Sequence, residues 1–263
     1  TDHPRRLGPA SQATEPVLPR VPAEPAEQKT RVLLVDDSIE SHTLMRFYFR
    51  NTPYDLEIAS DGEQAVATFQ TGLFDFVLID LHLPGLDGFT ATRAMRAWEA
   101  SHKHPPIPIV AVTASSGVES QARSLEAGCT DFLTKPITKA RLLSTLRKYR
   151  RSFPGTGTTP AQPAASPDLT ERIDDEIRRR RPAFLANRRK DVAMMQDALG
   201  KGDYEAIRTT GHRMKGLAGS FGFPDIGAVG HRLEQAAQSR DREAIRREID
   251  RLTTILLGVD EAA

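Results

Sequence analysis

The sequence predicts a doubly wound α/β domain with a five-stranded parallel sheet, followed by an all-α antiparallel helical bundle. Three observations carry this. Between residues 30 and 150, short runs that are apolar throughout alternate with helical stretches, the pattern of strands buried on both faces of a parallel sheet. Between residues 168 and 258 the apolar residues recur at helical spacing only, with short connections. Two stretches lack periodicity and read as solvated linkers, 1–29 with prolines separated by alanines and glutamates and 151–167 rich in Pro, Gly, Thr and Ala, and 259–263 reads as a tail.

In the first domain, Arg31-Val32-Leu33-Leu34-Val35 is a strand that ends in Asp36-Asp37, and a helix follows from Ile39. Leu56–Ala59 is the second strand, and Asp61-Gly62 turns into a helix bearing Ala65, Val66 and Phe69. Phe76-Val77-Leu78-Ile79 ends in Asp80; after Pro84-Gly85 comes a helix over about Gly88–Glu99. Ile107–Val112 ends in Thr113, and its helix closes at Gly128. Phe132-Leu133-Thr134 runs into Lys135-Pro136 and a last helix to Arg150.

In the second domain, Leu185, Val192, Met195 and Leu199 form a stripe, and Gly200 is the expected helix stop. Asp203 is the expected N-cap of the next helix. There Ile207, Met214, Leu217, Ala218 and Phe221 fall at i, i+7, i+10, i+11 and i+14, one core-facing stripe. Ile245, Ile249, Leu252 and Leu256 form the closing stripe after Asp241. The arginine run Arg178–Arg181 follows Asp174, Asp175 and Glu176, so it reads as a solvated helix face rather than a nucleic-acid site.

Composition narrows the function classes. The 263 residues carry a formal charge of +1, no signal for nucleic acid, and 39% apolar residues, enough for ordinary cores. No apolar run approaches the roughly 20 residues that span a bilayer, so no membrane contact is expected of this fragment. Cys129 is the single cysteine and suits a reducing, cytoplasmic setting as a small buried hydrophobe. The opening Thr1-Asp2-His3-Pro4 is no signal peptide and reads as part of a longer chain, which leaves open a cytoplasmic portion of a membrane-anchored protein.

Asp36, Asp37, Asp80, Thr113 and Lys135 all fall at carboxyl ends of strands, the edge where open α/β sheets bind ligands. Singly, each aspartate could merely cap a helix. Together, three repelling carboxylates call for a hard divalent cation such as Mg²⁺, and a metal-neutralised aspartate can attack phosphorus. Lysine and threonine would then hold phosphoryl oxygens.

The segments LLVDDS, VLIDLHLPGLDG, IVAVTA and FLTKP resemble, in order and across residues 31–150, the landmarks of the response-regulator receiver domain, a flavodoxin-like fold. The resemblance implies Asp80 as phospho-acceptor and Asp36, Asp37, Asp80 and the His82 carbonyl as Mg²⁺ ligands, Asp36 through water. It implies Lys135 and Thr113 at the phosphoryl group and Phe132 as the aromatic switch, which must act by ring burial because no hydroxyl is present. His42 is assigned nothing and is expected to be an exposed helix residue.

The helical half holds a second constellation. In Gly211-His212-Arg213-Met214-Lys215-Gly216-Leu217-Ala218-Gly219, three glycines sit in a helix where each costs about 1 kcal/mol relative to alanine. His212 lies about 200° from Met214 and faces outward, with Lys215 and Gly216 at i+3 and i+4 and Gly219 at i+7. A neutral imidazole is a competent nucleophile, Lys215 can steady an arriving phosphoryl group, and Gly216 and Gly219 leave room for a partner's cleft to dock. Gly230-His231-Arg232 repeats the tripeptide but has Glu234 and Gln235 at those positions, so His231 is read as structural.

HRMKGLAGSFG resembles the signature of histidine phosphotransfer domains, with His212 as the phosphorylated residue. Paired with the receiver, it implies the C-terminal receiver and phosphotransfer segments of a hybrid sensor histidine kinase, a two-component phosphorelay. The implied partners are an upstream histidine kinase domain, in the same or a separate chain, and a downstream response-regulator receiver. A linker of roughly 18 residues has an r.m.s. span on the order of 23 Å, so transfer within one chain is allowed. No Gly-rich nucleotide loop appears, so no ATP-dependent kinase activity is expected of this fragment. A metal-dependent phosphatase would want a carboxylate two residues after Asp80, where His82 stands, and a silent scaffold would need none of these residues.

Overall fold

The structure, a computed structural model, describes residues 29–72, 74–114, 118–150 and 167–261; apart from Lys29 and Pro167, the two expected linkers lie outside these. The first half alternates β1 (Thr30–Val35), α1 (Ile39–Phe49), β2 (Tyr54–Ala59), α2 (Gly62–Phe69), β3 (Phe76–Asp80), α3 (Gly88–His102), β4 (Ile109–Thr113), α4 (Val118–Glu126), β5 (Asp131–Thr134) and α5 (Lys139–Arg150). All pairings are parallel, in the order β2-β1-β3-β4-β5. Strand side chains alternate between two cores, as the period of two dictates. Val32, Leu34, Phe76, Leu78, Val110 and Val112 pack with Leu44, Met45 and Leu142 of α1 and α5. Leu33, Val35, Val77, Ile79 and Ala111 face Ala65, Phe69 and Met95 of α2 and α3. Both faces are therefore covered, and apart from the edge strand β2, whose Asp55 and Glu57 are exposed, the polar groups gather at the strand ends.

The second half is α6 (Pro167–Lys201), α7 (Tyr204–Leu217), α8 (Pro224–Gln238) and α9 (Arg242–Glu261) around one core that includes Phe184, Met195, Ile207, Met214, Val229, Leu233, Ile249 and Leu252. Asp203 caps α7, its carboxylate accepting the Ala206 N–H at 3.0 Å.

Four expectations change here. Gly200 does not stop α6; the helix runs to Lys201, and Gly202, at φ +73°, takes the left-handed turn. The helix bearing His212 ends at Leu217, and Ala218–Phe221 form a 3₁₀ turn closed by Gly222 at φ +83°. The last helix continues past residue 258 to Glu261. The arginine run is not uniformly solvated: Arg178 pairs with Asp175 at the surface, but Arg181 donates to the Phe221 carbonyl at 2.9 Å and lies over the Phe223 ring. Among the described residues, no helix is long and apolar enough to cross a membrane.

Candidate functional site

The carboxyl edge of the sheet gathers one half of the site. Asp80 is the last residue of β3, and α3 starts close beneath it because position 88 is glycine: a Cβ there would stand 2.2 Å from the Asp80 carbonyl oxygen. Asp80 Oδ1 accepts the His82 N–H at 2.9 Å, and Oδ2 accepts from Lys135 Nζ at 2.6 Å. Asp36, 2% exposed, accepts from Ser38 N at 2.9 Å, Ser41 Oγ at 2.8 Å and Lys135 Nζ at 3.1 Å. Thr113 is buried at the end of β4, and its carbonyl accepts the Lys135 N–H at 2.8 Å. Phe132 on β5 is half-buried against the α2–α3 core. His42 is not an exposed helix residue: it is half-buried, and its Nε2 bonds the Asp36 carbonyl.

The other half comes from the bundle, which meets this edge. His212 on α7 is buried to 7% exposure, because what would be an outward face on α7 alone lies under the sheet edge. Its Nδ1 is 2.7 Å from Glu234 Oε1, so the carboxylate sets Nδ1 as the protonated nitrogen. Its Nε2 is buried without a hydrogen-bond partner. The His82 imidazole lies against it, ring centroids 4.3 Å apart at 42°, and one ligand atom each from Asp80, His82 and His212 fall within 4.8 Å of one another. Lys215 donates to the other oxygen of Glu234 at 3.2 Å.

The glycines divide by role. A Cβ on Gly216 would meet Lys135 Cδ at 2.9 Å, and one on Gly219 would meet Pro136 Cγ at 3.0 Å, so the backbone of α7 and its 3₁₀ turn rests directly on the loop after β5. Gly211 instead faces α8, where a Cβ would meet the Gly230 carbonyl oxygen at 2.7 Å. Asp37 accepts from Arg213 Nε at 2.8 Å across the same junction.

The electrostatics follow from this crowding. Burial opposes the charge of Lys135, but Asp36 and Asp80 outweigh it and hold the ammonium above its ordinary range. Burial likewise opposes the charge of Asp80, and Lys135, then His212, hold the carboxyl below its ordinary value. Burial and the neighbouring His212 lower His82. Burial would raise Glu234, yet the hydrogen bond and charge of His212, with Lys215, hold it at about 2.

The sequence reading missed Glu234, Arg213, Glu40, Arg188 and the imidazole of His82. Glu234 was visible only as the neighbour of His231, and His231 itself is exposed, not structural. The spacing signal that would have found Glu234 is the matching glycine pair Gly211 and Gly230, each of whose Cβ positions falls 2.7 Å from the other's carbonyl oxygen: a crossing there brings the turn after Gly230 beside His212. The donor set is oxygen-rich, with the Asp36, Asp37 and Asp80 carboxylates on one strand-end edge, and that chemistry fits Mg²⁺.

Comparison with known proteins adds independent findings. Residues 32–147 match the family described as the response regulator receiver domain, and residues 181–262 match the Hpt domain. The chain is 28% identical over 244 residues to the sensor histidine kinase GacS of Pseudomonas protegens, covering 86% of this chain and 26% of that protein. It is 30% identical over 221 residues to the sensor protein GacS of Pseudomonas syringae pv. syringae, covering 78% and 24%. The chain thus spans about a quarter of the length of these curated relatives. Among solved structures, the receiver domain of the sensor histidine kinase PA1611 from Pseudomonas aeruginosa, with magnesium coordinated in its active-site cleft, is 34% identical, covers 46% of this chain and 97% of its own, and superposes with a TM-score of 0.42.

Proposed function

We propose that this chain, which joins a response-regulator receiver domain to an Hpt domain as two-component phosphorelays do, moves a phosphoryl group from Asp80 to His212 within itself. One observation carries the reading: the buried, unpartnered Nε2 of His212 beside Asp80.

The step needs no proton to move. The Nε2 lone pair of the neutral ring forms the N–P bond as the bond from phosphorus to the Asp80 oxygen breaks, and that electron pair stays on the aspartate as its carboxylate. Nδ1 keeps its proton, and the positive charge that develops on the ring is met by Glu234 at 2.7 Å. Lys135 and Thr113 hold the phosphoryl oxygens, Lys135 being already fixed between Asp36 and Asp80. Lys215 steadies Glu234. Phe132 buries further on phosphorylation. Asp36, Asp37, Asp80 and the His82 carbonyl would hold Mg²⁺, which supplies charge neutralisation at the acyl phosphate. An upstream histidine kinase domain loads Asp80, and a downstream response-regulator receiver unloads His212.

The test is labelling with acetyl phosphate and Mg²⁺, reading alkali-labile label as phosphoaspartate and acid-labile, alkali-stable label as phosphohistidine. Wild type should carry both, His212→Gln only the former, and Asp80→Asn neither. His212 labelled at the wild-type rate in Asp80→Asn would overturn the reading.

A further inference from the structure

We infer that Glu40 and Arg188 form a charge lock that selects which receiver the His212 surface accepts, an inference that rests on the relay proposed above. The partner it fits is a receiver presenting a carboxylate at the second residue of its first helix, and this chain's own receiver presents Glu40 there.

The lock stands apart from the chemistry. Arg188 belongs to α6, not to the histidine-bearing helix, and neither it nor Glu40 bonds Asp80 or His212. Its side chain is 6% exposed, an unusual setting for a guanidinium that does no catalysis. The bundle fixes it in place before any partner contributes: it lies over the Phe184 ring at 4.7 Å, and its Nε sits 2.8 Å from Asp191. Of the two terminal nitrogens, Nη1 is buried without a hydrogen-bond partner, and Nη2 donates to both oxygens of Glu40, at 3.1 and 3.3 Å. Asn187, one residue earlier, donates to the same carboxylate at 2.8 Å. Three donor contacts therefore converge on one acid at the start of α1.

Such a site discriminates more by what it rejects than by what it binds. An acid completes a carboxylate–guanidinium–carboxylate row with Asp191. A lysine or arginine in its place would bring a second cation against a buried one, where water and salt screen little. Receivers lacking the acid would reach His212 with Nη2 of Arg188 desolvated and without its acceptor, Asp191 alone facing the guanidinium.

The experiment uses the full chain, pulsed with acetyl phosphate and Mg²⁺. It reads the first-order rate at which label moves from Asp80 to His212, expressed as a ratio so that any change in the loading of Asp80 cancels. Glu40→Lys should slow transfer at least about fiftyfold, the scale of a buried like-charge contact. The double variant Glu40→Lys with Arg188→Glu keeps two acids around one base and should recover transfer to within about tenfold of wild type. Where thermal melting shows that Arg188→Glu unsettles the bundle, Arg188→Gln replaces it, removes the repulsion and must recover transfer with Glu40→Lys. Transfer by Glu40→Lys within threefold of wild type, or equal impairment with and without the second change, overturns the lock. Wild-type chain that loads Asp80 but never labels His212 overturns the relay reading itself, a different result.

Discussion

The tripeptide Gly-His-Arg occurs at 211–213 on α7 and again at 230–232 on α8, and its members share one fate and differ in two. The glycines do the same work: each Cβ position lies 2.7 Å from the other's carbonyl oxygen, so together they let the two helices cross in close contact. The histidines part company. His212 is buried with Nδ1 on Glu234 and its ring on His82, while His231 is exposed with Nδ1 4.0 Å from the same glutamate. The arginines part too, Arg213 reaching across to Asp37 and Arg232 staying in the bundle with Glu248. Local sequence makes the crossing, and the receiver's approach makes the site. One copy of the tripeptide becomes a candidate nucleophile because a sheet edge covers it and its neighbour's helix lends it a carboxylate.

That contrast is broken most forcefully at the glycines. Gly211→Leu should unfold or severely loosen the bundle, at about 3 kcal/mol or more, since its clash is with backbone that cannot give way. Gly216→Leu should leave the bundle folded, even about 1 kcal/mol better in helix propensity. Transfer to His212 should nonetheless fall by roughly a hundredfold, because the new side chain displaces Lys135, which is pinned to both aspartates. Melting temperature and transfer rate on both variants separate the two roles; a matched loss of stability in both would erase the distinction.

Glu234 sharpens the comparison at an intermediate scale. Glu234→Gln removes a charge-assisted hydrogen bond worth about 1.5–3 kcal/mol, so transfer should slow roughly ten- to hundredfold with Asp80 loading unchanged. The same carboxyl gives a pH signature. Its folded value, about 2, lies below the ordinary 4.5, so its pairing stabilises the fold above about pH 4.5 and loses that contribution as pH falls toward 2. Wild type should therefore lose melting temperature on acidification more steeply than Glu234→Gln, and parallel profiles would speak against the pairing. The smallest effect belongs to the decoy: His231→Gln should alter neither stability nor transfer beyond about twofold, its side chain being exposed.

What could be read from sequence follows the same division between local and assembled features. The strands were legible because runs such as Val32–Val35 and Ile109–Val112 are apolar on both faces, and the five strand-end polar residues follow from where those runs stop. Gly216 and Gly219 stood out as helix glycines on the face opposite Met214. Gly200 misled because it lies two residues before the glycine that bends: only Gly202 takes the left-handed conformation that ends the helix. Glu234, Arg213, Glu40 and Arg188 were illegible for a plainer reason. Each looks like any surface charge on its own helix, and its partner lies on another element, for Glu40 and Arg188 148 residues away. His42 likewise looks solvent-facing until the chain before it curls its Asp36 carbonyl onto the ring.

The central claim is that the two halves of one chain assemble one transfer site. It is tested most directly by loading Asp80, then following label onto His212 over a hundredfold range of chain concentration. Transfer within the chain predicts a first-order rate that does not change across the range. A rate that rises in proportion to concentration would mean that His212 is served by another molecule's receiver, and would contradict the account.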